Sequence, residues 1–141
     1  MSQDIRLRFD DSFESVLDEM KELSYFDDNS SIAIFAASLA LDQNLSRPCK
    51  RSGKDIRLNV LLGTSGGREL MYLIAVSNQL FASDDPLSEE NTLEVLRAFE
   101  AHANAGLELL DNLKKSGRTM ASVIPELVAQ KFKNMTHGAG K

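Results

Sequence analysis

Apolar residues recur along the chain with two different spacings, and the spacing predicts the elements. Ile5, Leu7 and Phe9 alternate with Arg6 and Arg8, the period of a half-buried strand, because successive side chains on a strand point to opposite faces. Ile56, Leu58, Val60 and Leu62 alternate in the same way, and the tetrapeptide Asp-Ile-Arg-Leu begins at both Asp4 and Asp55. These are two candidate strands able to pair.

From Phe13 the period lengthens. Phe13, Val16, Leu17, Met20 and Leu23 make one apolar stripe, with Asp18, Glu19 and Glu22 on the other side, which predicts an amphipathic helix. Asp11 followed by Glu14 has the form of a capping box at its start. Ser30 and Ser31 are expected to cap a second helix through Ile32, Phe35, Ala36, Leu39 and Ala40, apolar on nearly every face and therefore central. Asn44 to Lys54, with Pro48 and Gly53, reads as a surface loop. Gly63-Thr64-Ser65-Gly66-Gly67 ends the second strand, and Leu70, Leu73, Ile74, Ser77 and Phe81 restore helical spacing.

Ser83-Asp84-Asp85-Pro86 offers a cap for a fourth and longest helix, expected to begin at Leu87 or Ser88 and to run to Lys115. Along it Leu96, Phe99, Ala103, Gly106, Leu110 and Leu113 are spaced 3-4-3-4-3, a heptad-like seam. The small residues Ala103 and Gly106 would let another helix approach closely. Gly117 follows as a C-cap. A last helix is expected from Ser122, with Pro125 in its first turn, and the residues from Thr136 onward have nothing to bury. The prediction is a mainly α fold: a compact bundle of about five helices with a short two-stranded β element. One helical domain is expected over residues 1–135, with a disordered tail over 136–141.

Composition narrows the function classes. The 141 residues are 43% hydrophobic and 26% charged, a globular balance at the size of one domain. Sixteen basic against twenty-one acidic residues give a net charge of -5, which disfavours wrapping in DNA or anionic lipid over the whole surface and leaves room only for a local basic patch. Cys49 is the sole cysteine, so neither an internal disulfide nor a cysteine-rich zinc site is expected, and a reducing cytoplasmic location is. The apolar run Ile32–Ala37 is far short of the roughly 20 residues of a membrane span, so no membrane contact is expected. The first residues carry no secretory pattern.

The strongest charge contrast is Arg47, Lys50, Arg51, Lys54 and Arg57, five cations in eleven residues opposed only by Asp55. A flexible basic loop can meet phosphates through lysine and forked arginine contacts. The plain alternative is a solvated loop carrying weak surface ion pairs. Gly63 to Arg68 places glycines ahead of a helix, as phosphate cradles do, but lacks the Gly-Lys-Ser/Thr ending of a P-loop, so a connector is expected.

Asp10, Asp11, Glu19 and Lys21 imitate a metal-dependent nuclease, yet residues two apart on a helix do not share a face. His102 has no second ligand at helical spacing, and Cys49 has no local base. No catalytic residue, cofactor or metal is expected.

The segments Tyr25-Phe26, Ile34-Phe35-Ala36-Ala37-Ser38-Leu39-Ala40-Leu41, Arg47-Pro48, Lys50-Arg51-Ser52-Gly53, Asp55-Ile56-Arg57 and Phe99 to Leu110 stand in an order that resembles the bacterial family Dnd system-associated protein 4. Leu58 stands where that family is expected to carry an aromatic residue. The resemblance implies an accessory protein encoded with bacterial DNA phosphorothioation, in which sulfur replaces a backbone oxygen and marks self DNA, often coupled to restriction of unmarked DNA. It implies no catalytic residues.

The expectation is therefore a non-catalytic component contacting DNA, or a DNA-modification or restriction protein, through Arg47, Lys50, Arg51, Lys54, Arg57 and Arg68. The rival is a protein-protein or homo-oligomerisation module using Phe99, Ala103, Gly106 and Leu110, without nucleic-acid contact, against the more common reading of such an apolar stripe as ordinary core.

Overall fold

Two short strands, β1 (Arg6–Arg8) and β2 (Asp55–Arg57), pair antiparallel with Arg6 opposite Arg57, Leu7 opposite Ile56 and Arg8 opposite Asp55. The structure is a computed structural model, and it describes residues 5–48, 50–80 and 89–139. Backbone bonds extend the ribbon at both ends, from Leu58 N to Ile5 O at 3.0 Å and from Phe9 N to Lys54 O at 2.9 Å. Gly53 N closes the turn side on Phe9 O at 2.8 Å. A Cβ at Gly53 would stand 2.9 Å from that carbonyl, so only glycine fits. Leu7, Phe9 and Ile56 lie beneath the ribbon in the core, which turns Arg6, Arg8, Asp55 and Arg57 to its other face.

The second strand is shorter than the alternation predicted. Leu58–Gly63 is helix α3, if elements are numbered after α1 (Glu14–Lys21) and α2 (Asn29–Asp42). The buried residue of α3 is Leu61, while Val60 is 48% exposed, the reverse of what a strand face required. Beyond Leu58 no described partner strand faces the backbone, so its hydrogen bonds close locally.

Both early helical segments are capped ahead of the predicted positions, the first by one residue and the second by at least two. Asp10, not Asp11, caps the 3-10 turn Asp11–Phe13 that leads into α1, its Oδ1 accepting from Ser12 N at 3.0 Å. Asp28, not Ser30 or Ser31, caps α2, accepting from Ser31 N at 2.9 Å. Ser30 turns inward and shares a 2.7 Å hydrogen bond with the Thr64 hydroxyl.

Helix α4 (Gly67–Ser77) buries Leu70, Met71, Ile74 and Ala75 and leaves the predicted stripe residues Leu73 and Ser77 exposed, whereas the long α5 (Glu89–Lys115) follows the expected spacing. Phe81 and the predicted cap over 83–86 lie outside the described residues, as does Cys49. Helix α6 (Met120–Ala139) starts two residues before Ser122, because Glu19 Oε2 reaches across from α1 to accept Met120 N at 2.7 Å. Pro125 consequently falls in the second turn rather than the first. The carbonyl four residues back belongs to exposed Ala121, where water can replace the missing donor. Helical backbone continues through Ala139, past the point where a tail was expected.

The core is built around α2 lying along α5. Ala33, Ala36, Ala37 and Ala40 face it from α2, and Val95, Leu96, Phe99, Ala103, Leu107 and Leu110 from α5. The proposed oligomerisation seam is thus corrected to core: Phe99, Ala103 and Leu110 are fully buried, and Gly106 is buried with them. The close approach foreseen at Gly106 is real but is made by the chain's own α2. A Cβ there would stand 2.0 Å from Ala36 O.

Candidate nucleic-acid interface

The basic loop that the sequence left free is largely held down by acids from distant parts of the chain. Arg47 pairs with Glu108, lies 3.9 Å from Asp10 Oδ2, and places its guanidinium 5.0 Å over the Phe13 ring. Its backbone N–H donates to Ala101 O at 3.0 Å, so Arg47 fastens the loop to α5. Arg51 Nε donates to Glu100 Oε2 at 3.2 Å, and Lys54 Nζ stands 3.5 Å from Asp18 Oδ1. Lys50, Arg57 and Arg68 are exposed and have no ion pair among the described residues. Arg57 belongs to β2, and Arg68 to the start of α4.

A second group of cations, not singled out in the sequence, forms on the ribbon. Arg6 Nη1 and Arg8 Nη2 both reach Asp55 Oδ2, at 2.8 and 3.2 Å, and Arg57 is the cross-strand neighbour of Arg6. From α5, Arg97 Nη1 donates to Arg6 O at 3.0 Å and to Glu100 Oε2 at 3.3 Å. Arg51 Nη2 donates to the same Arg6 carbonyl at 3.3 Å. Five guanidinium groups, those of Arg6, Arg8, Arg51, Arg57 and Arg97, therefore assemble around two carboxylates, Asp55 and Glu100.

Glu100 is the anchor of this assembly. It is 3% exposed, yet its Oε2 accepts from Arg8 N at 2.7 Å as well as from Arg51 and Arg97. A buried carboxylate is tolerable when it is paired and hydrogen-bonded in this way. One turn on, Asn104 continues the contact. Its Oδ1 accepts Asp10 N at 2.9 Å, and its Nδ2 donates to Arg8 O at 3.3 Å and Glu100 O at 2.9 Å. Side chains from α5 and the loop thereby occupy the backbone groups of Arg6, Arg8 and Asp10 that β2 does not reach.

Asp10 is fully buried. The Ser12 hydroxyl and backbone N–H bound to it, at 2.5 and 3.0 Å, hold its carboxyl below the usual carboxylate range. Arg47 and Lys50 add to that, outweighing the burial that pushes the other way.

The remaining motifs resolve into structural roles. Glu19 bonds Met120 N and pairs with Lys114 at 3.3 Å, while Asp10 lies buried beside Ser12, so the imitation nuclease carboxylates do not converge. Gly66 adopts φ +86° as the residue leading into α4. His102 is buried, with Nδ1 2.6 Å from Leu45 O and Nε2 3.2 Å from Asn78 Nδ2. A carbonyl can only accept, so Nδ1 carries the proton and Nε2 accepts. Among the described residues no three potential metal ligands of the His, Cys, Asp and Glu types cluster, and no helix is long and apolar enough to cross a membrane.

A signal for the ribbon cations was present in the sequence: Arg6 and Arg8 alternate with the buried Leu7 and Phe9, which fixes their direction. Nothing in the sequence marked Glu100 or Arg97, because their roles depend on α5 crossing β1.

Comparison with known proteins places this geometry in context. The family model described as DNA sulphur modification system-associated protein 4 matches residues 6–140. No curated protein and no solved structure matches the chain.

Proposed function

Because the chain belongs to the DNA sulphur modification system-associated protein 4 family, we propose that it serves such a system as a non-catalytic accessory component that contacts DNA through the arginine face of the β1–β2 ribbon. The supporting observation is the gathering of Arg6, Arg8, Arg51, Arg57 and Arg97 around Asp55 and Glu100. In a chain of net charge -5, this is a region where, among the described residues, guanidinium groups outnumber carboxylates.

The reading moves the contact from the loop to the strands. Arg47 and Lys54 are each matched by a carboxylate of their own, Glu108 and Asp18, so neither adds to the local excess of positive charge. Arg57 is exposed on the ribbon, and Lys50 is exposed on the adjoining loop. Forked guanidinium contacts to phosphate give binding that depends on salt and carries no base preference.

Duplex binding measured by fluorescence anisotropy over a salt series tests the proposal. Binding is expected at low salt, and Arg57→Ala is expected to reduce the slope of log affinity against log salt by about 0.9, the share of one phosphate contact. A native chain that binds no duplex at low salt overturns it.

A further inference from the structure

Beside the arginine face lies a polar cleft of about 440 Å3, whose lining includes Arg6, Asp55 and Arg57 from the ribbon, Asp27 and Asp28 from the segment before α2, and Lys21 from the end of α1. That volume is in the range of small-molecule sites. Some of its charges are already committed. Asp55 holds Arg6 and Arg8, and Asp28 Oδ1 accepts both the N–H and the hydroxyl of Ser31. Lys21, Asp27 and Arg57 are exposed, and among the described residues none of the three has an ion pair or side-chain hydrogen bond. Two cations and one carboxylate therefore face this space uncommitted.

A ligand that satisfies all three presents an anion together with a hydrogen-bond donor. We propose that the cleft receives a single nucleotide unit of a DNA strand, with its phosphate against Lys21 and Arg57 and the amino edge of its base toward Asp27. Carboxylates accept from exocyclic amino groups such as that of cytosine, and lysine and arginine meet phosphate oxygens. Thymine offers a single ring N–H in place of a two-proton amino group and fits less well. Arg57 belongs to both surfaces, being the cross-strand neighbour of Arg6 and a wall of the cleft. A backbone lying on the ribbon would thus pass the cleft's mouth. The inference rests on the DNA-contact reading and adds a local preference to it: a base enters only where it is unstacked.

The test uses the whole chain and end-labelled duplexes that are fully paired, or carry one unpaired cytosine or one unpaired thymine. Deoxycytidine and deoxythymidine monophosphate are titrated separately by calorimetry. The readout is the ratio of unpaired to paired affinity, in which a general charge effect cancels. The unpaired cytosine is expected to bind about tenfold tighter than the paired duplex, with a smaller gain for thymine. Asp27→Ala should erase the cytosine preference, and Lys21→Ala should shrink the gain while Lys21→Arg restores it. Both positions are exposed, and an unchanged circular dichroism spectrum verifies folding.

Equal affinities for the three duplexes in the native chain, or a cytosine preference that survives Asp27→Ala, overturn the cleft. If the paired duplex binds and these differences are absent, the cleft fails and the ribbon reading stands. If no duplex binds but deoxycytidine monophosphate does so in an Asp27-dependent way, the ribbon reading fails and the cleft stands.

Discussion

Glu100 Oε2 accepts the backbone N–H of Arg8 at 2.7 Å across 92 positions of sequence. The same oxygen receives Arg51 and Arg97, so one carboxylate fixes a strand, a loop and a helix at a single point. Glu100→Gln should lower unfolding free energy by about 3 kcal/mol, because removing one partner leaves the others poorly compensated near the interior. Urea titration with an unchanged slope checks the stability loss. The variant, if studied below its denaturation midpoint, should bind duplex DNA at least as tightly as the native chain, since the arginine face has lost a negative charge.

Gly106→Ala should destabilise the fold by about 2 kcal/mol through overpacking against Ala36, since the added carbon would stand 2.0 Å from Ala36 O. At an ordinary helix position the same exchange gains about 1 kcal/mol. Asn112→Ala, at an exposed site on the same helix, serves as the control and should leave thermal stability equal or higher. A Gly106→Ala protein as stable as the native one would show that α2 and α5 are not in such close contact.

Acid sensitivity should trace in part to Asp10. Its carboxyl titrates below its ordinary value of 3.8 in the folded chain, so its charged form stabilises the fold above the ordinary carboxylate range. That contribution is lost as pH falls through the lowered value. Asp10→Asn should therefore be less stable than the native chain at neutral pH, with the gap narrowing from about pH 4 downward. Ser12→Ala should move the Asp10 titration upward in a carbon-detected NMR experiment, because the Ser12 hydroxyl is its strongest support.

His102 joins α5 to the loop after α2 and to the end of α4 through Leu45 O and Asn78. His102→Phe keeps the ring's bulk but removes both bonds, and should cost about 1 to 2 kcal/mol. Combined with Asn78→Ala, the two losses should fall short of their sum by about 0.5 to 1 kcal/mol. Strict additivity in chemical denaturation would show that the pair does not interact.

Periodicity carried the fold well where one face of an element is buried. The stripe on α1, the apolar α2 and the spacing along α5 are all visible because burial selects residue type. The second strand misled, since Ile56, Leu58, Val60 and Leu62 alternate although pairing stops near Leu58. Caps were misplaced by one or two residues because aspartates and serines cluster at 10–12 and 28–31, and only geometry tells which oxygen faces an open N–H. The charged surface was the least legible. Arg47, Arg51 and Lys54 looked free because their partners Glu108, Glu100 and Asp18 are remote in sequence. Arg6 and Arg8 lay in plain view but gained meaning only when Arg57, Arg51 and Arg97 came beside them.

The row of backbone groups along β1 that faces away from β2 has a further consequence. Arg6 O, Arg8 N, Arg8 O and Asp10 N are all engaged by side chains of Arg51, Arg97, Glu100 and Asn104. An unpaired sheet edge is a template onto which foreign chains add as further strands, whether as ligands or as aggregates. Here a helix has substituted for the missing neighbour, so this side of the ribbon is closed to recruitment by strand addition, and it presents only its side chains to the outside.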